Sequence, residues 1–77
     1  MTYYGEISIP KDFAENDSYD CDFENGNFVT FYVDGDKVST ALYEDGSGQV
    51  EDIDELWGTH YYEDYDGNEY QVIVKAQ

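Results

Sequence analysis

Asn27-Phe28-Val29-Thr30-Phe31-Tyr32-Val33 is the stretch whose reading decides the fold. β-Branched and aromatic side chains occupy both of its faces, which is the composition of a strand covered on two sides, so it reads as the centre of a sheet. Asp34-Gly35-Asp36 follows as a hairpin turn, and Lys37 to Glu44 returns with Val38, Thr40 and Leu42 on one face. Asp45-Gly46-Ser47-Gly48 ends that return strand. Upstream, Thr2 to Ile9 sets Tyr3, Ile7 and Ile9 against Tyr4, Glu6 and Ser8, the alternation of a half-buried strand closed by Pro10. Downstream, Thr59 to Tyr65 and Glu69 to Lys75 make a second hairpin around Asp66-Gly67.

Two segments read differently. Lys11 to Gly26 carries Asp12, Glu15, Asp17, Asp20, Asp22 and Glu24 with Phe13, Tyr19 and Phe23 between them. It reads as an acidic loop pinned by aromatics, with at most a helical turn over Asp12 to Glu15. Asp52-Ile53-Asp54-Glu55 has the capping-box arrangement, Ile53, Leu56 and Trp57 fall at helical spacing, and Gly58 is a natural stop. The expected architecture is one α+β domain over residues 1–77, in the order β, acidic loop, β, β, short α, β, β. It is a small antiparallel sheet of about five strands, formed from two β-hairpins, with one short helix packed on a face.

Charge bounds the function. The chain carries 19 Asp and Glu against 3 Lys and no Arg, a formal net charge of −16. Such a surface does not bind nucleic acid or an anionic membrane directly, because neutralising phosphates needs cationic side chains. It attracts cationic partners instead. With 40% hydrophobic and 18% aromatic residues, the chain also stands apart from acidic disordered tails.

The chemical inventory is short. Cys21 is the lone cysteine and His60 the lone histidine, so neither an intramolecular disulfide nor a cysteine-based zinc site can form. Asp64-x-Asp66-x-Asn68 starts like a calcium loop but puts Glu69 and Lys75 where glycine and a bidentate glutamate belong. Asp20-x-Asp22-x-Glu24 fails likewise, with Asn25 and Phe31. No phosphate-binding glycine motif, nucleophile elbow or catalytic base motif surrounds His60. The expectation is a non-catalytic protein with no metal and no cofactor. The N-terminal Met1-Thr2-Tyr3-Tyr4-Gly5-Glu6 has neither the basic start nor the apolar run of a signal peptide, which points to a reducing, cytoplasmic setting.

Duplex DNA carries one phosphate charge per roughly 1.7 Å of axis, so sixteen charges correspond to about 27 Å of duplex. A domain of this size has a diameter of about 30 Å. The charge densities match, whereas solubility alone is served by a net charge of about 2–8. Three acidic groups stand out: Asp12 to Glu24; Glu44, Asp45, Glu51, Asp52, Asp54 and Glu55; and Glu63, Asp64, Asp66 and Glu69 among Tyr61, Tyr62 and Tyr65. From the first and last, Asp17, Asp20, Asp22, Glu24, Glu63, Asp64 and Asp66 are the expected phosphate surrogates. Tyr19, Tyr62 and Tyr65 are the expected contact residues, since tyrosine offers area and a hydroxyl at low conformational cost.

This small size, the lack of Arg, acidic stretches such as Asp17-Ser18-Tyr19-Asp20-Cys21-Asp22-Phe23-Glu24 and the aromatic-rich hairpins give a profile that resembles the small acidic inhibitor proteins of bacteriophages and mobile elements. These are the anti-CRISPR and anti-restriction proteins, several of which act as DNA mimics. The resemblance implies a non-catalytic inhibitor, working in the host cytoplasm if phage-encoded, that blocks a basic nucleic-acid-binding protein of a defence complex. The alternative is an acidic adaptor or immunity module that neutralises a basic partner without mimicry; adaptation to a saline cytoplasm is a third reading of the charge.

Overall fold

The computed structural model describes residues 1–12 and 17–77. Eight strands follow in chain order: β1 (Thr2–Ile9), β2 (Asp17–Asp22), β3 (Phe28–Asp34), β4 (Lys37–Glu44), β5 (Ser47–Gly48), β6 (Glu51–Ile53), β7 (Gly58–Glu63) and β8 (Glu69–Ala76). They form two sheets, one ordered β1-β8-β7 and the other β2-β3-β4-β5, with β6 also paired to β4. As read from the sequence, β3 is central, flanked by β2 and β4. The molecule measures 35 × 22 × 19 Å with a radius of gyration of 12.0 Å.

The sheets bury alternate residues against each other. β8 contributes Tyr70, Val72 and Val74, β3 contributes Val29 and Phe31, and Ile9, Cys21, Phe23 and Leu56 complete the buried cluster. Where β1 crosses β2, a Cβ on Gly5 would clash with Cys21 Sγ and stand 3.2 Å from Phe23. Glycine therefore sets the closeness of the sheets along that side. Burial, with a smaller contribution from Asp22, pushes the Cys21 thiol pKa up, so it behaves as a packing residue.

The architecture is all-β, which corrects the α+β expectation: no helix occurs among the described residues. The segment expected as a helix, Asp52 to Trp57, begins in β6, where Glu51 to Ile53 pair with Thr40 to Val38 of β4. A helix of so few residues never recovers its nucleation cost, whereas the edge of β4 offers ladder hydrogen bonds at once. The apolar side chains reach the core without helical spacing: Leu56 is buried, and Ile53 and Trp57 pack against the cluster.

Two further expectations change. The acidic loop is in part strand β2, in which Tyr19 and Cys21 face inward while Ser18, Asp20 and Asp22 face out. Pairing with β3 overrides the poor strand propensity of aspartate. The helical turn expected over Asp12 to Glu15 lies mostly outside the described residues. The sheets are not wholly antiparallel, because β1 runs parallel to β8 from Thr2↔Glu69 to Ile9↔Ala76. These strands come from the two chain termini, so no tight turn dictates their direction, and the apolar faces align Tyr3 with Tyr70 and Ile7 with Val74. Asp45-Gly46 ends β4 at Glu44 as expected. Its φ values of 51° and 79° make a two-residue hairpin turn that sends the chain back along β4 as β5.

Candidate interaction surface

Three hairpin turns gather at one end of the molecule: Phe23 to Asn27, Glu44 to Ser47 and Asp64 to Asn68. The Tyr70 hydroxyl joins two of them, accepting from Asn25 Nδ2 at 2.7 Å and Asn27 Nδ2 at 2.8 Å while donating to Asp64 Oδ2 at 2.7 Å. The third is tied in by the Tyr65 amide, which donates to Glu44 Oε1 at 3.5 Å. Around this end lie Asp22, Glu24, Asp45, Glu63, Asp66 and Glu69, all exposed. All three lysines, Lys11, Lys37 and Lys75, fall toward the opposite end, where Lys75 pairs with Glu6 at 2.9 Å. That end also carries exposed Asp12, Asp17, Asp34, Asp36, Asp52, Asp54 and Glu55, so the described acids are spread over both ends and only the three-turn end is without lysine.

The expected site residues separate into five environments. Glu24, Glu63, Tyr65 and Asp66 come together at the acidic end, and Tyr65 is 93% exposed. Asp20 and Asp22 project from the outer face of β2, Asp20 accepting from Thr30 Oγ1 at 2.8 Å, with Asp22 nearer the acidic end. Asp17 and Tyr19 hydrogen bond to each other at 2.9 Å in the far half of β2, away from the acidic turns. Tyr62 points inward, its hydroxyl 2.6 Å from Thr40 Oγ1, and burial pushes its pKa up to about 12.

Asp64 is only 6% exposed and therefore presents little charge to a partner. Its Oδ1 accepts the amides of Asp66 at 2.9 Å and Asn68 at 2.8 Å; its Oδ2 accepts Asn68 Nδ2 at 3.0 Å and the Tyr70 hydroxyl. Burial disfavours the carboxylate, but those four donors outweigh it and hold the pKa below the ordinary value. Asp64 organises the turn that displays Tyr65 and Asp66.

Sequence reasoning missed Glu44, Asp45 and Glu51 as neighbours of the final hairpin. A cleft of about 520 Å³ lies between β7 and the β4–β6 segment, with Glu44, Glu51, Glu63, Tyr61, Tyr62 and Tyr65 in its walls. Tyr61, 74% exposed, and Tyr4, 72% exposed, flank Gln71 on the outer face of the three-stranded sheet. The signal available was the alternation in Gly58 to Glu63, which puts Tyr61 and Glu63 on the face opposite His60 and Tyr62. No group of His, Cys, Asp and Glu among the described residues could hold a metal ion, and no helix there is long and apolar enough to cross a membrane. Comparison with protein families, curated proteins and solved structures finds no match to this chain.

Proposed function

We propose that this protein is a non-catalytic inhibitor that docks its acidic end on the nucleic-acid-binding surface of a basic protein of a host defence system, of CRISPR or restriction type, in the cytoplasm. The observation that carries this reading is the gathering of three turns at one end, where exposed Asp22, Glu24, Asp45, Glu63, Asp66 and Glu69 surround exposed Tyr65 with no lysine among them. Dimensions support it, since about 35 Å of duplex carries roughly 20 phosphate charges, against a net −16 on a body 35 Å long. Carboxylates so arranged compete for a groove that expects phosphates, while tyrosines cover its apolar parts.

A competition titration tests this: a captured target releases bound DNA as the protein is added, and the affinity falls steeply with salt. A target that keeps its DNA while binding the protein overturns mimicry. Reversing Glu24, Asp45 and Asp66 to Lys together is expected to weaken binding by about a hundredfold or more. Retained affinity in that triple variant moves the site elsewhere.

The second reading, an acidic immunity or adaptor module, draws support from exposed Tyr4 and Tyr61, because these lie on the outer face of the three-stranded sheet, beside the acidic turns rather than among them. The two readings part on whether the partner's nucleic-acid groove or another basic site is covered.

A further inference from the structure

The two sheets meet along β1 and β2, and on the opposite side they do not close. There β7 is an edge strand, and the facing segment Ser47 to Ile53 is interrupted at Gln49 and Val50, leaving the cleft between two open strand edges. Hydrogen-bond alternation defines which backbone groups are available on β7. The Asp64 amide donates to Asn68 O at 3.0 Å, so in an antiparallel ladder Tyr62 and His60 exchange bonds with β8 and Glu63, Tyr61 and Thr59 do not. The Glu69 amide, opposite Glu63, indeed turns the other way and bonds to Met1 O at 2.9 Å. The N–H and C=O groups of Thr59, Tyr61 and Glu63 therefore point away from β8, toward the free edge. An edge of this kind is a template for a further strand.

We infer that the free edge of β7 takes up an extended, lysine- or arginine-bearing segment of a partner as an added strand, seated in the cleft. This deepens the proposed function and rests on its reading of a basic partner. Charge complementarity selects the occupant: Glu44, Glu51 and Glu63 stand around the edge with Tyr61 and Tyr65, which can cover the stems of cationic side chains. A second copy of this chain brings another −16 to the same edge and is repelled.

The test uses a capped octapeptide alternating lysine and valine, and the same peptide N-methylated at alternate residues, which keeps charge but removes strand donors. Titration of the full chain followed by amide hydrogen exchange is expected to protect Thr59, Tyr61 and Glu63, amides that exchange freely without peptide. N-methylation is expected to weaken binding about tenfold or more, and the Glu44→Gln, Glu51→Gln, Glu63→Gln triple variant by a similar factor. Equal affinity for both peptides without new protection overturns strand addition and leaves the basic-partner reading standing. No binding of either peptide overturns the edge inference, and the DNA competition titration then judges the partner reading separately. Pairing between two copies of the chain, seen as concentration-dependent protection of the same amides, also overturns it.

Discussion

The turns Phe23 to Asn27 and Asp64 to Asn68 follow the same backbone path and hold it by opposite chemistry. In each, the first residue's amide bonds to the fifth residue's carbonyl, at 2.9 Å from Phe23 to Asn27 and at 3.0 Å from Asp64 to Asn68. In each, the fourth residue is a glycine at positive φ, 90° for Gly26 and 83° for Gly67, whose amide bonds back to the first carbonyl. The anchors differ. Phe23 buries a ring 4.8 Å from that of Tyr70, whereas Asp64 buries a carboxylate that collects four donors. Both anchors converge on Tyr70, and Tyr3 stacks on its ring at 5.3 Å. An acid in a run of acids can thus be a structural pivot, with no free charge to offer a partner.

The sharpest way to break the apolar anchor is Phe23→Ala, which empties a space beside Tyr3 and Tyr70. A loss of about 3–5 kcal/mol by urea unfolding is expected, enough to unfold a marginal domain. Tyr70→Phe keeps the ring but removes the hydroxyl shared by Asn25, Asn27 and Asp64, at an expected cost of about 1–3 kcal/mol. Combined with changes in either turn it should be non-additive, and simple additivity would show that the turns are not coupled through it. Gly26→Ala and Gly67→Ala meet nothing within 4 Å of the added methyl, so only backbone strain remains. Each is expected to cost about 1–2 kcal/mol, and nearly the same amount, if the two paths are alike.

The smallest effect distinguishes the anchors by pH. The Asp64 pKa is lowered in the folded state, so its contribution is complete above the unfolded value near 4 and is lost as pH falls through the folded one. The stability gap between the native chain and Asp64→Asn should be widest above about pH 5 and close below about pH 4. The corresponding Phe23→Ala gap should not change over that range. Relief of surface repulsion on protonating other carboxylates affects both members of each pair alike.

The candidate surface was half legible in the sequence. Glu24, Glu63, Tyr65 and Asp66 sit in turns that local glycine and aspartate signals announce, and they do meet at one end. Asp17 sits at the other end of β2 and Tyr19 midway along it, because strand formation spreads these residues away from Asp22. Tyr62 and Asp64 turn inward because alternation and the Tyr70 hydroxyl give them buried partners.

By itself the sequence determined what depends on neighbours in the chain: the net charge, the central strand Phe28 to Val33, the hairpin turns and the alternating faces of β1 and β8. The tertiary structure alone decided the parallel pairing of β1 with β8, the capture of Glu51 to Ile53 by β4 in place of a helix, and the unclosed side that leaves β7 open. Those outcomes are competitions between distant segments for the same backbone partners. Local propensity is worth at most about a kcal/mol per residue, and the pairing that satisfies backbone groups and buries the apolar faces together prevails over it.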